Sequence, residues 1–410
     1  MNTYFFKEMS FMHFCLLYRM SKNITVGIDI GSHGTRVMVV EYANDGERKT
    51  TRIIGTGYAE TRGVRHGYVV NGEQTSESLY KAIRDAEHTS GIRIRQAVIS
   101  IGGISLSSHL STGSAIISKA DNEVTNLDIQ KALNDAESKL SVPNKHIIET
   151  VVLEYKLDGK KVLGRPEGMK GIKLDVTVLF IACLKQHIDD LISVVNSVGV
   201  DVIDVVPSPL AASHVTLSEK QKTAGCMLLD IGAETVSLTV FEDNNVISMH
   251  VFTIGGSDIT NDIALGLKIP LPEAEEIKQG VLIGNISQSD VENIIEARLT
   301  DIFELVQKYL KKIKRDGLLP AGVIISGGAS QIPITESLAR KILNVPASLA
   351  GLPLNSKKNS LIKDMSWLIV YGLCMSKRNT STGNTSYNPL SKGLSSIGQF
   401  FKSIIKQLKP

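Results

Sequence analysis

The chain has only four cysteines in 410 residues, Cys15, Cys183, Cys226 and Cys374, and no CxxC pair among them. That excludes a zinc ribbon and a disulfide framework. Three of the four stand in apolar surroundings, where a buried reduced thiol is expected. No apolar run reaches the roughly eighteen residues of a membrane-spanning helix. A charge excess is missing as well, since 45 Lys plus Arg face 42 Asp plus Glu, a balance of +3. So even a balance argues against nucleic-acid binding through bulk charge. Nor is the chain poor in apolar residues: 42% apolar against 21% charged leaves enough to bury a core, and the length suits two or three domains. The composition predicts a cytoplasmic protein whose exceptional segments lie at its ends.

Residues 4–18 are apolar and aromatic but are interrupted by Lys7, Glu8 and His13, and no small-x-small cleavage site follows. This is too broken for a secretory signal. Met20 stands just before the first strand, so residues 1–22 are expected to be a disordered extension with Met20 as the biological start. At the other end, 376–393 is rich in Ser, Thr, Asn and Gly and reads as a flexible linker. Beyond it Leu394, Ile397, Phe401, Ile404 and Leu408 recur at helical spacing, and Phe400 and Ile405 widen the stripe. Lys402, Lys406 and Lys409 accompany them with no acid. An apolar face edged by lysines after a tether predicts an amphipathic helix over 394–410 lying on acidic membrane lipids. A docking helix for a protein partner is the other reading.

Between the ends, a strand Ile24 to Ile30 turns through Gly31-Ser32-His33-Gly34 into a second strand from Val37 to Tyr42. Helices are expected over Gln74 to Gly91, Thr125 to Leu140 (with Asp128 and Asp135 outward) and Lys185 to Val198, and strands over Gln96 to Ile101 and Lys173 to Leu184. Then the opening pattern returns: Met227 to Ile231, the turn Gly232-Ala233-Glu234-Thr235, and Val236 to Phe241. Both copies read strand, Asp-Ile-Gly, polar turn, β-branched strand. A duplicated domain with a cleft between the copies is the simplest account. Gly and Ser/Thr turns present backbone N–H groups to an anion, and Asp29 and Asp230 at the strand ends could hold a hydrated Mg²⁺ between phosphates. Arg36, counted along the chain, has the parity opposite to Asp29, so the strand does not aim it at the phosphates. Gly327-Gly328-Ala329 lets backbone approach a flat ring, and Gly255-Gly256 before a helix is a candidate anion site.

These motifs together, strand-Asp-Ile-Gly at 29–31 and 230–232 with IISGGASQIP at 324–333, resemble the actin-like ATPase superfamily. Within it the chain is similar to the FtsA family of bacterial cell-division proteins, through segments such as Gly63-VRHGYVVN, Val205-VPSPLAAS and Asp258-ITNDIALGLKIPLPEAEEIK. The resemblance implies a duplicated α/β fold of the actin-like, ribonuclease H-like kind, two lobes around a nucleotide cleft. It implies lobe segments 23–102, 184–224 and 225–375, and an FtsA-type small subdomain at 103–183 for self-interaction and later division proteins. It implies ATP and Mg²⁺ as ligands, with Asp29, Gly31 and Ser32 in the first phosphate loop and Asp230, Gly232 and Thr235 in the second. Arg36 would stand near the phosphates, Glu275 and Lys278 by ribose and adenine, and Gly327, Gly328 and Ala329 at the adenosine. Asp230 would position water for any slow hydrolysis. Glu234 departs from the family's glycine-rich loop and would repel a γ-phosphate by about 4 kcal/mol at 4 Å unless it turned away or helped hold the metal. The implied partners are the chain itself, in head-to-tail polymers, and the C-terminal peptide of FtsZ near Arg298. The implied place is the inner face of the membrane at the division site. A PilM-like pilus assembly scaffold, which shares the fold, is the alternative.

Overall fold

The computed structural model describes residues 24–45, 48–281, 286–351 and 364–376. The N-terminal extension, nearly all of the 376–393 linker and the 394–410 helix expected from the sequence lie outside the described residues.

The chain opens with the antiparallel strands β1 (Ile24–Ile30), β2 (Gly34–Asp45) and β3 (Arg48–Glu60), then a small hairpin of β4 (Val64–Arg65) and β5 (Tyr68–Val69). Helix α1 (Gly72–Ser90) and β6 (Gln96–Ile101) follow. Asn71 caps α1 by accepting from the Gln74 amide, and Gly91 ends it in the left-handed region at φ 69°. Leu79, Ala82, Ile83 and Ala86, spaced by three and four, are buried against the sheet. Each Leu or Ile so covered contributes about 1.5–3 kcal/mol.

Next come β7 (Ser107–Ile116), α2 (Asn126–Ser138), β8 (Lys145–Leu157), β9 (Lys160–Val162) and β10 (Lys173–Leu184), which form a separate sheet ordered β7-β10-β8-β9 with its own core. Asp128, expected to face water, is instead fully buried. It closes a capping box with Thr125 and accepts from the Ser118 hydroxyl at 2.8 Å. The chain then returns to the first lobe through α3 (Lys185–Ser197), β11 (Asp201–Pro207), α4 (Ser208–Thr216) and α5 (Glu219–Ala224). The first lobe's sheet is ordered β11-β6-β1-β2-β3.

The second lobe repeats this plan. It contains β12 (Cys226–Ile231), β13 (Val236–Glu242), β14 (Asn245–Phe252), α6 (Gly256–Leu267), α7 (Leu271–Lys278), α8 (Gln288–Lys312), β15 (Val323–Ser326), α9 (Thr335–Leu343) and β16 (Ala347–Leu349). Its sheet order, β14-β13-β12-β15-β16, matches the first when β12 is laid on β1 and β15 on β6. Alternation along β12 explains how two sheets share one molecule. Met227, Leu229 and Ile231 join the second lobe's core, while Cys226 and Leu228 join the core of the first.

The last helix, α10 (Leu368–Ser376), was expected with the second lobe but packs on the first: Trp367, Val370, Tyr371 and Cys374 cluster with Met38 and Val40 of β2. It lies beside α4, and at Gly372 a Cβ would fall 1.9 Å from the Ala211 carbonyl oxygen. Only glycine allows that approach. Helix α4 packs against strands of both sheets (β6 and β11, β12 and β13) and α10 against the first sheet, and Ser208 and Ile369 near their starts line the cleft.

Candidate functional site

Each half places an aspartate one residue before the end of its first strand. Asp29 pairs across its hairpin with Arg36, and Asp230 with Ser237. The turns that follow close in the same way, the Gly31 amide donating to the Gly34 carbonyl at 3.2 Å and the Gly232 amide to the Thr235 carbonyl at 2.9 Å. Each aspartate also takes a hydroxyl from the neighbouring parallel strand. Ser100 donates to Asp29 at 2.5 Å and Ser326 to Asp230 at 2.8 Å. Sequence reading missed both serines. The signal was there, because the two stand at matching places, each after an apolar strand and close before a glycine pair (Gly102-Gly103 and Gly327-Gly328).

Electrostatics tie the halves together. Burial pushes the Asp29 carboxyl above its ordinary value, against the hydrogen bond from Ser100 and the attraction of Arg36. Burial likewise raises Asp230 to about 6, opposed by Ser326 and Arg36 and reinforced by the negative charge of Asp29. Arg36 is the cation that both acids feel. The parity count placed it away from Asp29, but parity does not pass through a hairpin turn: directly paired residues share a face. Its guanidinium lies 5.3 Å from the Tyr58 ring and 5.8 Å from that of Trp367, and its buried Nε has no hydrogen-bond partner.

These groups line one cleft of about 920 Å³, large enough for a nucleotide. Asp29, Gly31, Ser32, Arg36, Asp230, Gly232, Thr235, Gly256, Glu275, Lys278, Gly327, Gly328 and Ala329 all face it; Gly255 does not. Gly255 and Gly256 play a different part from the one expected. The amides of Gly256 and Ser257 donate to the carbonyls of Gly232 and Ala233 at 2.8 and 2.7 Å, and the Gly255 amide donates to Asp258. The start of α6 therefore braces the second turn, with those three donors already engaged. Lys278 donates to Glu275 at 2.6 Å, to Thr260 at 2.8 Å and to the Gly256 carbonyl at 3.1 Å. Burial opposes ionisation of Glu275, but Lys278 and Thr260 outweigh it and hold the carboxyl below its ordinary value. At Gly327, φ is 92° and a Cβ would lie 2.3 Å from the Ile231 carbonyl oxygen, so glycine is required there.

The donors suit a hard divalent cation with phosphates. Two carboxylates line one cleft, each raised by burial, with hydroxyls beside them and the Arg36 guanidinium in the same lining. Among the described residues no group of three or more His, Cys, Asp or Glu could hold a metal by itself. Mg²⁺ at Asp29 and Asp230 would complete its shell with phosphate oxygens and water, as that ion commonly does.

Glu234 also lines the cleft. Its carboxylate accepts from the His66 amide of the first lobe, and its backbone carbonyl lies 3.2 Å from His66 Nδ1. Arg298 stands apart on α8, half-buried, where its fork meets Asp262 at 2.5 and 2.9 Å and Asp301 lies 3.5 Å away. The residues assigned to membrane binding, Leu394 to Lys409, lie outside the described residues. Among the described residues no helix is long and apolar enough to cross a membrane.

Two equivalent sheets, each with an aspartate near the end of its first strand, meeting over a nucleotide-sized cleft define an actin-like protein with a small α/β insertion. Solved structures agree on the fold. The PilM–PilN type IV pilus biogenesis complex superposes with a TM-score of 0.62 at 18% identity, covering 86% of this chain and 97% of that one. Ethanolamine utilization protein EutJ from Carboxydothermus hydrogenoformans gives 0.51 at 15% identity, covering 86% and 89%. The family models are more particular. Residues 227–364 match the model for cell division protein FtsA, and 103–182 match the SHS2 domain inserted in FtsA. Cell division protein FtsA of Pseudomonas aeruginosa is 29% identical over 381 residues, 86% of this chain and 90% of that protein. That of Bacillus subtilis is 29% identical over 346 residues, 79% and 77%. The chain belongs to the FtsA family of cell-division proteins. The pilus protein is similar in fold alone.

Proposed function

We propose that this FtsA-family protein binds ATP with Mg²⁺ in the cleft, assembles into head-to-tail polymers, and ties FtsZ filaments to the inner face of the membrane at the division site, where later division proteins join it. The observation that carries the nucleotide part is the matched pair Asp29–Ser100 and Asp230–Ser326, facing one cleft with a shared Arg36. Bound Mg²⁺ would neutralise the two carboxylates and polarise the phosphates. The chain's own groups would do the rest, with Arg36 drawing the phosphates between the turns and the start of α6 keeping the second turn in place. Asp230, raised to about 6 and therefore largely ionised at neutral pH, would orient a water for slow hydrolysis.

Attachment rests on the sequence of 394–410. One amphipathic helix binds a bilayer weakly, but a polymer presents many, and linked sites multiply avidity. Arg298 is the proposed contact for the acidic C-terminal peptide of FtsZ. Co-sedimentation with FtsZ on acidic liposomes tests the assignment. Under ATP, FtsZ should pellet with the liposomes only when this protein and the FtsZ C-terminal peptide are both present, and deleting 394–410 should abolish lipid binding. No recruitment of FtsZ, or lipid binding that survives the deletion, would overturn it.

A further inference from the structure

The β4–β5 hairpin turns on His66 and Gly67, both in the left-handed region with φ of 49° and 81°. Its tip touches both phosphate turns. The His66 amide donates to the Glu234 carboxylate of the second, and the Gly67 amide donates to the Ser32 hydroxyl of the first at 3.0 Å. Successive amides on a left-handed turn form a concavity that suits an anion. Here the His66 amide holds a carboxylate brought from the other lobe, while the next amide, that of Gly67, holds the neutral Ser32 hydroxyl. Glu234 and Gly67 both line the cleft. The bond is therefore an interlobe fastening and an internal negative charge at the place where the two phosphate turns meet.

We propose that Glu234 is the specificity-determining residue of the cleft for the terminal phosphate. Its carboxylate fastens the second turn to the first lobe and occupies the anion seat that a third phosphate needs. A nucleoside diphosphate fits between the turns with the fastening closed, whereas a triphosphate must displace the carboxylate from the His66 amide. Glu234 thereby lowers the preference for triphosphate over diphosphate and couples release of the fastening to the γ-phosphate. This inference rests on the nucleotide reading proposed above.

Two substitutions separate the charge from the fastening. Glu234→Gln keeps an acceptor for the His66 amide and removes the charge; Glu234→Ala removes both. In the full-length protein without nucleotide, hydrogen exchange across 63–69 should be faster in Glu234→Ala than in the wild type and unchanged in Glu234→Gln. Calorimetric titration with Mg·ATP and Mg·ADP should show affinity for ATP relative to ADP rising about fivefold or more in both variants, the smallest change expected of a real coupling. Unchanged exchange in Glu234→Ala would overturn the fastening, and an unchanged ratio in both variants would overturn the specificity role. A wild type that binds neither nucleotide would overturn the nucleotide reading itself, while the exchange experiment still judges the fastening.

Discussion

Asp230 lies opposite Ser237 on its hairpin, at the place where its counterpart Asp29 lies opposite Arg36. Duplication supplied two acids, burial raises both, and one shared cation, Arg36, only partly offsets it. Each carboxyl sits above its ordinary value, and Asp230 reaches about 6.

The first consequence is a pH dependence of stability. A carboxyl whose folded value lies above its unfolded one binds more protons when folded, so it favours the fold below the unfolded value and loses that advantage as pH rises through the folded one. For Asp230 the window runs from 3.8 to about 6, and the loss is about 3 kcal/mol at most. His214, held down to about 4 by desolvation, gains stability over the same window, so the test is a difference: in urea unfolding of the nucleotide-free protein, the pH slope of the wild type should be more negative than that of Asp230→Asn. A slope unchanged in the variant would remove Asp230 as its source.

Removing the hydroxyl beside Asp230 should move the same group further. Ser326→Ala takes away a hydrogen bond that favours the ionised form, so the pH at which Mg²⁺-nucleotide affinity reaches half its maximum should rise. Ser326→Thr, which keeps the hydroxyl, should restore the wild-type profile. The symmetric change Ser100→Ala should act on Asp29 in the same direction. Fluorescent-nucleotide titration at several pH values measures both, and parallel profiles for alanine and wild type would refute the assignment.

Gly327 and Gly328 are neighbours with opposite demands. A methyl at Gly327 meets the Ile231 carbonyl at 2.3 Å with φ at 92°, whereas nothing lies within 4 Å of one at Gly328. Gly327→Ala should cost more than about 2 kcal/mol, and Gly328→Ala should stay within about 0.5 kcal/mol of wild type. Thermal unfolding of the two variants decides it; equal melting temperatures would contradict the geometry.

Trp367 is the single tryptophan of the chain, and the Arg36 guanidinium stands over it at 5.8 Å. An anion that draws Arg36 into the cleft should alter the indole emission, so Mg·ATP should shift or change the intensity of tryptophan fluorescence in a saturable way. Arg36→Ala should abolish the response. A wild type whose emission is indifferent to saturating nucleotide would exclude this movement.

Much of this was legible beforehand. Asp29 and Asp230 announced themselves because a strand, a glycine turn and a second strand recur in one order, and local pattern suffices for that. Arg36 was misplaced because counting parity through a turn ignores the register that only pairing establishes. The amides at the start of α6 looked available because the sequence does not reveal that the carbonyls of Gly232 and Ala233 reach them first. Asp128 read as exposed because charge usually is, yet a capping box and a serine satisfy it in the interior. The serines that hold the aspartates come from strands far along the chain, and only the parallel pairing brings them near.

The return of α10 to the first lobe has a mechanical meaning. The described chain ends at Ser376 on that lobe, while Arg298 belongs to the other. On the proposed function the anchor would depart from the first lobe and the filament contact would sit on the second, so closure about the cleft would displace cargo against membrane. Helix α4, which packs against strands of both sheets, would then be the fulcrum of a lever, and the tight seam of Gly372 against Ala211 would hold α10 to it on the anchor side.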